Sequence, residues 1–348
     1  MSTPRRVRRT LLGAWPLLLA LGAGACADQE PAVGDADDIV AIAHPELWPR
    51  IQSRVKAKLE PSPIAIGAQK AFQVSYQDPT EQTWREQRRA RQLLLIGTPT
   101  DPWMEEPLAR LKGEAPTLPA IVEVDDVWAA GQHATLLLLP EGDARAAVTA
   151  QLDSLRTLYD QRYREWVVTR MFANGASRAL ADSVFEEAGF TVLVPADYEA
   201  SRDGDVFLFR RSATDSSHVI RHVAVTWRSP IPQGMQGEGL LGWRSQLAAT
   251  HYGVRQAAAL ANVEATQTTH RGNVVYQLLG NWQNPQRTAP TRGPFILRAE
   301  ICTFQDRMYL VDAWLWAPDQ EQHEYLVELE SIVNSFRCGS ARSNQPNE

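Results

Sequence analysis

Long apolar runs, basic stripes and cysteines are all scarce in this sequence of 348 residues. The apolar run from Leu11 to Ala25 has 15 residues, fewer than the roughly 20 that a membrane-spanning helix needs, so no permanent membrane helix is expected. The 35 basic residues are outnumbered by 41 acidic residues and form no stripe. Such a surface repels nucleic-acid phosphates, so we expect no nucleic-acid partner.

The first 25 residues have the composition of an export signal. Four arginines lie between positions 5 and 9, an apolar run follows, and small residues stand directly before Cys26. This order is typical of a signal peptide, here residues 1–25, that is removed during secretion. Because the small residues precede a cysteine, we predict that Cys26 becomes the new N-terminus and carries fatty acyl chains such as palmitate. The alternative is ordinary cleavage near this position, which would release an unanchored protein.

The segment that follows the signal is short, acidic and without periodicity. We therefore predict that residues 26–38 form a flexible tether between the lipid and a folded body. Without residues 1–25, which hold four arginines and no acidic residue, the chain has 31 basic and 41 acidic residues, a net charge of −10.

We expect a cell-envelope location with the membrane as a partner through the lipid. Since Ala27 follows Cys26, sorting to the outer membrane, facing the periplasm, is favoured.

Only two cysteines remain if Cys26 is acylated. Cys302 and Cys338 are then free to pair in an oxidising envelope. Two reduced, buried thiols are the alternative, because spacing in the sequence does not establish the geometry that a disulfide needs.

Strand and helix patterns alternate along the rest of the chain. In residues 39–175, short apolar strands alternate with helical stripes, and a long helix is predicted between Pro140 and Gly175. In residues 182–338, neighbouring strands are separated by occasional helices, and a closing helix is predicted to end near Phe336. We therefore predict an α+β fold of two α/β-type halves with mixed to antiparallel sheets packed by helices, a long central helix and a C-terminal helix. Residues 339–348 are predicted to be a disordered tail.

Enzyme and metal motifs fail at specific residues. His323-Glu324 begins a string typical of zinc proteases, but Val327 stands where the second histidine is required. His218 and His222 share a strand face if that strand begins early, which suits a metal, yet no third ligand is near in sequence. We therefore expect no metal and no cofactor.

Three residues stand out as candidates for a ligand-facing site or a buried ion pair. Trp282 is flanked by Asn281 and Gln283, which predicts an exposed aromatic ring. Asp312 lies in the middle of an apolar strand and needs a partner there. Arg298 on the neighbouring strand is the partner that we predict.

Several stretches resemble a family whose function is not established. They lie in the same order along the chain as in that family: Ile39–Ala41 with Leu47-Trp48, Arg89–Ile96, Phe190–Pro195, Phe207–Arg210, Gly280–Trp282, Gly293–Phe295, Asp312–Pro318 and Tyr325–Phe336. On these stretches the chain resembles the bacterial envelope lipoproteins that contain domain of unknown function 4837. The resemblance implies a lipid-anchored protein and brings no established activity, ligand or catalytic residue.

These observations favour a non-catalytic binding or accessory module of the cell envelope. Its partner would be an unknown envelope protein, a peptide or a glycan. The alternative is an envelope hydrolase with a non-standard carboxylate site, in which Asp312 is the leading residue. A metal-dependent function through His218 and His222 is a third hypothesis.

Overall fold

The computed structural model describes residues 29–62, 69–212, 218–318 and 320–339. Within these ranges the chain has the predicted α+β fold, with one mixed sheet, one antiparallel sheet and a two-stranded ribbon. The predicted signal peptide, the predicted lipidation site Cys26 and the predicted tail beyond residue 339 lie outside the described residues. No helix in the described ranges combines the length and the apolar content that crossing a membrane requires.

The first half of the chain is built on a mixed sheet. Its strands are β1 (Asp38–Ile42), β2 (Gln73–Gln77), β3 (Gln92–Gly97), β4 (Ala120–Asp125) and β5 (His133–Leu138). The order across the sheet is β2-β1-β3-β5-β4, and β4 alone of these five is antiparallel to its neighbour. Both faces are covered, which is why β3 is buried along its whole length and apolar after Gln92.

Two helices cover one face of the mixed sheet. These are α1 (Trp48–Leu59) and α4 (Ala144–Met171), which is the long central helix predicted from the sequence. Both bury residues at intervals of three and four, so one stripe of each helix meets the sheet. The side chain of Asp143 begins α4 by accepting a hydrogen bond from the backbone N–H of Ala146 at 3.1 Å. The short helices α2 (Trp84–Gln87) and α3 (Glu105–Ala109) lie in the connections.

The second half is built on an antiparallel sheet and a small ribbon. After helix α5 (Arg178–Ala188), the ribbon joins β6 (Phe190–Thr191) to the last strand, β14 (Arg337–Cys338). The strands of the large sheet are β7 (Glu199–Asp203), β8 (Val206–Ser212), β9 (Ile220–Arg228), β10 (Val263–His270), β11 (Asn273–Gln283), β12 (Arg292–Cys302) and β13 (Arg307–Trp316). Their order across the sheet is β10-β11-β12-β13-β9-β8-β7.

The two faces of the large sheet carry separate cores. Helix α6 (Glu238–His251) packs against one face, and helix α7 (His323–Asn334) with α5 packs against the other. Because side chains alternate along a strand, the central strands β9, β12 and β13 contribute to both cores. Helix α7 also buries Val327 in the core beneath α4. The two halves that the sequence predicts therefore share packing through α7.

Some predicted elements have different bounds in the structure. The sequence pattern of residues 81–91 predicts a charged helix, but the structure has only the short α2 there; the pattern of residues 190–194 predicts a strand, but only β6 forms. The exposed strand β7 was not predicted, because its polar residues lack the alternation that identifies a half-buried strand. The closing helix begins at His323 rather than near residue 319.

The prediction of a flexible tether over residues 26–38 is wrong for its last part. The backbone N–H of Ala32 donates to the carbonyl of Ala130 at 2.9 Å, and Val33 bonds through both backbone groups to residues 89 and 91. Ala36 is buried against the mixed sheet. Small side chains and paired backbone groups allow this segment to pack, although its acidic composition is typical of a solvated chain.

Candidate functional site

Asp312 lies at the centre of a buried polar cluster beneath helix α6. It is fully buried, and its two carboxylate oxygens accept hydrogen bonds from Arg244 Nε at 2.9 Å and from the Tyr252 hydroxyl at 2.7 Å. Arg244 also donates to the side-chain carbonyl of Gln256 and stacks over the ring of Phe295 at 4.1 Å. Burial raises the pKa of Asp312, while Arg244 and Tyr252 oppose that rise. Asp312 therefore belongs to a closed structural ion pair.

The prediction that Arg298 pairs with Asp312 is wrong. In the β12–β13 ladder, Asp312 stands opposite Leu297, and Arg298 stands opposite Val311. Because successive side chains point to opposite faces, Arg298 lies on the face away from Asp312. There it forms an ion pair with Glu300 at 2.6 Å.

The prediction that Trp282 is exposed is also wrong. Its ring is fully buried and packs edge-on against Trp314, with ring centroids 5.5 Å apart. The polar residues on either side, Asn281 and Gln283, point away from it and line a surface cleft. The polar residues beside Trp282 therefore mark a surface cleft, but the aromatic ring is not part of that cleft.

His222 does not form a metal site with His218. It is buried between the rings of Tyr252 and Trp314, and burial lowers its pKa to about 3, with Arg210 adding to the effect. His222 is therefore neutral at physiological pH. His218 lies at the surface and precedes the strand. The group of potential ligands that the described residues do bring together is Glu300, Cys302 and Cys338.

In the structure, Cys302 and Cys338 are joined in a disulfide. Their Cα atoms are 6.5 Å apart, and the bond links the end of β12 to the ribbon strand β14. Asn273 donates to Glu300 Oε1 at 2.8 Å and to the sulfur of Cys338 at 3.4 Å. The disulfide and the Arg298–Glu300 pair therefore form one polar network at the end of the large sheet.

Five buried polar atoms around Asp312 have no hydrogen-bond partner in the described protein. They belong to His222 (Nδ1), Arg244 (Nη1), Gln256 (Nε2), Trp282 (Nε1) and Trp314 (Nε1). The side chains that carry them are all at least nine-tenths buried. Asp312 itself is fully buried among these side chains, so its carboxylate cannot contact a substrate in this structure. The hydrolase hypothesis therefore loses Asp312 as its leading residue.

A concave surface lies at one end of strand β11. It is a cleft of about 700 Å³ between the segment that follows α6 and the connection from β11 to β12. Its lining consists of arginine, amide and small side chains: Ala257, Ala258, Ala259, Asn262, Asn281, Gln283, Asn284, Pro285, Arg287, Thr291 and Arg292. No carboxylate, histidine, lysine or cysteine is among these residues.

Asn284 shapes one wall of the cleft. Its side-chain amide donates to the carbonyl of Thr288 at 2.7 Å and to that of Pro290 at 3.2 Å, and its side-chain oxygen accepts from the backbone of Gln286 at 2.9 Å. The backbone N–H of Asn284 donates to the carbonyl of Thr291 at 2.7 Å. The side chain is buried although it is polar, because the connection satisfies its hydrogen bonds. These hydrogen bonds within the connection therefore hold the wall that carries the cleft arginines in its conformation.

The opposite wall is attached to the same strand. The backbones of Ala257 and Gln283 form a two-way bridge with both N–H···O distances at 2.9 Å. Both walls of the cleft are therefore anchored to β11, which lies inside the large sheet.

The charge of the cleft comes from Arg287 and Arg292. Both side chains are exposed, and neither forms an ion pair with any of the described residues. Guanidinium groups bind carboxylate and phosphate groups in a bidentate manner, and the neighbouring amides supply further donors and acceptors. The arrangement is therefore suited to binding an anion.

Neither cleft arginine was identified from the sequence. Arg287 and Arg292 lie in a connection without a recognisable motif, and the cleft is formed by residues that are about 30 positions apart. The polar run Asn281, Gln283 and Asn284 around Trp282 was the available signal, because an apolar strand rarely ends with several amides.

Comparison with known proteins gives a family for part of the chain and no activity. Residues 177–335, slightly less than half of the chain, match the family described as Domain of unknown function (DUF4837). No curated protein matches the sequence.

Solved structures similar to this chain are remote. A mutant of the protein Mog1 covers 45% of this chain and 94% of its own, at 11% identity and a TM-score of 0.30. The Saccharomyces cerevisiae Ran-binding protein Mog1p covers 44% of this chain and 91% of its own, at 10% identity and a TM-score of 0.29. Human STARD10 covers 44% of this chain and 72% of its own, at 5% identity and a TM-score of 0.21. Likeness at this level carries no argument about function.

Proposed function

We propose that this protein is a non-catalytic binding module of the cell envelope and that it holds an anionic ligand in the cleft at the end of β11. The observation that carries this proposal is the pair Arg287 and Arg292, which line the cleft without an ion-pair partner among the described residues. The ligand class is a small or terminal group that bears a carboxylate or a phosphate, because these groups match the guanidinium fork.

The charge of the rest of the protein supports this proposal. The chain without residues 1–25 has a formal net charge of −10, so a cleft with two arginines and no acid stands out against its surroundings. A local positive field in an acidic surface concentrates anions at one place and discourages their binding elsewhere.

Replacing both cleft arginines is expected to weaken anion binding strongly without unfolding the protein. We expect citrate and inorganic phosphate to show saturable binding to the wild type, and we expect R287Q/R292Q to weaken the binding by at least about tenfold for each lost charge-assisted contact. Isothermal titration calorimetry with each anion at constant ionic strength measures the change.

A matched control removes two other arginines. Arg85 and Arg178 are exposed and form no ion pair among the described residues, so R85Q/R178Q makes the same charge change away from the cleft. It is expected to bind like the wild type. Equal affinity of R287Q/R292Q and the wild type, or absence of saturable binding to the wild type, would contradict the proposal.

We also propose that a lipid on Cys26 anchors the protein to a membrane of the cell envelope. The expected membrane is the outer membrane, and the folded body is expected to face the periplasm. The export pattern of residues 1–25 supports this. Glu30 already bonds to the body, since its carbonyl accepts from the backbone of Ala130 at 3.0 Å. Four residues span at most about 14 Å when extended, so an acylated Cys26 would hold the body close to the membrane surface.

Changing Cys26 to serine is expected to release the protein from the membrane fraction. Intact-mass measurement of the native wild type should show residues 1–25 removed and fatty acyl chains on Cys26, whereas C26S should carry no acyl chain and appear in the soluble fraction. S53A serves as the control, because Ser53 is an exposed residue of α1 in the folded body, and acylation of Cys26 should be unchanged in this variant. An unmodified Cys26 in the native product would refute the anchor.

A further inference from the structure

Two cysteines and a buried carboxylate meet at the end of the large sheet opposite to the anion cleft. Glu300 and Cys302 are two positions apart on β12, so their side chains lie on the same face of that strand. The disulfide brings Cys338 to the same place from β14. One carboxylate oxygen of Glu300 and the two sulfur atoms all lie within 4.8 Å of one another. Asn273, which begins β11, contacts this group, whereas the cleft lies where β11 ends.

The carboxylate of Glu300 is held with one oxygen directed toward the sulfur atoms. Arg298 donates twice to Oε2 of Glu300, from Nε at 3.1 Å and from Nη2 at 2.6 Å. The other oxygen, Oε1, lies 3.9 Å from the sulfur of Cys338 and accepts a hydrogen bond from Asn273 at 2.8 Å. Glu300 is 2% exposed, so its position is fixed by these contacts. The oxygen that the arginine leaves unused is therefore the one nearest the cysteines.

Reduction of the disulfide would give this group the spacing of a zinc site. In a tetrahedral zinc site the Zn–S distance is about 2.3 Å and the Zn–O distance about 2.0–2.2 Å, which places two ligand atoms about 3.5–3.8 Å apart. Sulfur atoms in a disulfide are closer than this and carry no thiolate charge, so the oxidised pair is a poor metal ligand. The Cα atoms of the two cysteines are 6.5 Å apart, and rotation of the two reduced side chains reaches the wider separation.

The charges around the group would balance when a divalent metal is bound. Two thiolates and the Glu300 carboxylate bring three negative charges, and a divalent ion together with Arg298 brings three positive charges. A buried group of charges is tolerated when it is compensated in this way. The oxygen ligand also favours one metal over another, because two thiolates alone suit Cu(I), whereas thiolates with a carboxylate suit Zn²⁺.

We propose that Cys302, Cys338 and Glu300 form a redox-controlled zinc site, which the disulfide closes and the reduced thiol pair opens. In the first step a dithiol reductant attacks the S–S bond; the two cysteines become thiols, and the dithiol becomes a disulfide. Cys338 is partly exposed, so the reductant has access to it. In the second step Zn²⁺ binds both sulfur atoms and Oε1 of Glu300, and the two thiol protons pass to water. A water molecule fills the fourth position of the tetrahedron.

Zinc titration of the oxidised and reduced protein tests this proposal. The sequence has three cysteines, so the full-length C26S chain keeps only the pair in question. One sample is left oxidised and one is reduced with a phosphine under nitrogen, and both are titrated with Zn²⁺ by isothermal titration calorimetry. We expect one zinc ion per reduced chain, with an affinity at least about a hundredfold greater than that of the oxidised chain. Equal binding in the two states, or no binding to the reduced chain, would overturn the proposal.

The role of the carboxylate is tested in the same C26S chain. E300Q removes the charge of Glu300 and keeps an oxygen acceptor for Arg298, and it is expected to weaken zinc binding to the reduced chain by at least about tenfold. E264Q makes the same change at an exposed residue of β10 and is expected to bind zinc like its parent. Unchanged zinc affinity in E300Q would refute the site of three ligands.

Cobalt spectroscopy identifies the thiolates even if E300Q fails to fold. Co²⁺ bound by thiolates shows an intense sulfur-to-metal charge-transfer absorption, which we expect in the reduced chain and not in the oxidised chain. C302S/C338S keeps Glu300 and should lack this absorption. Zinc should also raise the thermal midpoint of the reduced chain alone, because a ligand that binds the folded state stabilises it. Absorption that persists in C302S/C338S, or a reduced chain whose midpoint zinc leaves unchanged, would contradict the site.

Discussion

Replacing Arg244 with methionine is expected to lower the free energy of unfolding by about 3–5 kcal/mol at pH 7, which is typical of removing one partner of a buried ion pair. Arg244 and Asp312 are 1% and 0% exposed, so the carboxylate would lose its main counter-charge without gaining water. Tyr252 would remain as its hydrogen-bond donor. Urea unfolding of the wild type and R244M at pH 7 measures the difference.

The decrease in the free energy of unfolding caused by R244M is expected to be smaller at acidic pH. Burial already raises the pKa of Asp312 above its ordinary value of 3.8, and loss of Arg244 removes the largest opposing influence. A carboxyl that holds its proton more tightly when folded favours the folded state at low pH, and this contribution is lost as the pH rises through the folded pKa. The destabilisation should therefore be smaller at pH 4.5 than at pH 7.5.

Two variants control this experiment. R244M/D312L removes both charges and should recover much of the lost stability, because a buried pair replaced by apolar residues is often neutral. Q246M changes an exposed residue of the same helix α6 and should alter stability by less than about 0.5 kcal/mol. The loss of stability in R244M could also be independent of pH, or R244M/D312L could be as unstable as R244M. Either result would show that an unpaired Asp312 carboxylate does not cause the destabilisation.

Reducing the Cys302–Cys338 disulfide is expected to lower the free energy of unfolding by about 4 kcal/mol on the chain-entropy model. The two cysteines are 36 positions apart, and the bond restricts the unfolded chain over that loop. It also holds the ribbon of β6 and β14 beside the end of β12. Urea unfolding with and without dithiothreitol measures the change.

The variant C302A/C338A shows whether the reductant acts on this bond alone. It should be destabilised to a similar extent, and dithiothreitol should have no further effect on it. Alkylation before and after reduction, followed by mass spectrometry, counts the thiols that appear. If reduction leaves the unfolding midpoint of the wild type unchanged, the bond does not stabilise the fold.

The helices and sheets were largely predictable because their signals are local. The stripe of α4 and the apolar runs of β12 and β13 are patterns that depend on residues a few positions apart. The mispredicted pairing of Asp312 shows where this reasoning ends. A strand register cannot be read from one strand alone, and a shift of one residue moves a side chain to the other face of the sheet. Arg298 was therefore the correct residue type on the neighbouring strand but on the wrong face.

The candidate site was predicted only in outline. The amides beside Trp282 indicated a polar surface at the end of β11, and the structure places Asn281 and Gln283 in the cleft. The two arginines that define its charge could not be identified, because the connection that carries them is shaped by hydrogen bonds of Asn284 rather than by a regular period.

The sequence by itself determined the α+β class, the long helix α4 and the acidic balance of the chain, since composition and periodicity are properties of the chain alone. Tertiary structure decided which charges meet. Arg244 reaches Asp312 across 68 positions, and the two walls of the cleft converge on β11 from different segments. Contacts of this kind depend on register and on helix docking, which form only when the whole sheet is assembled.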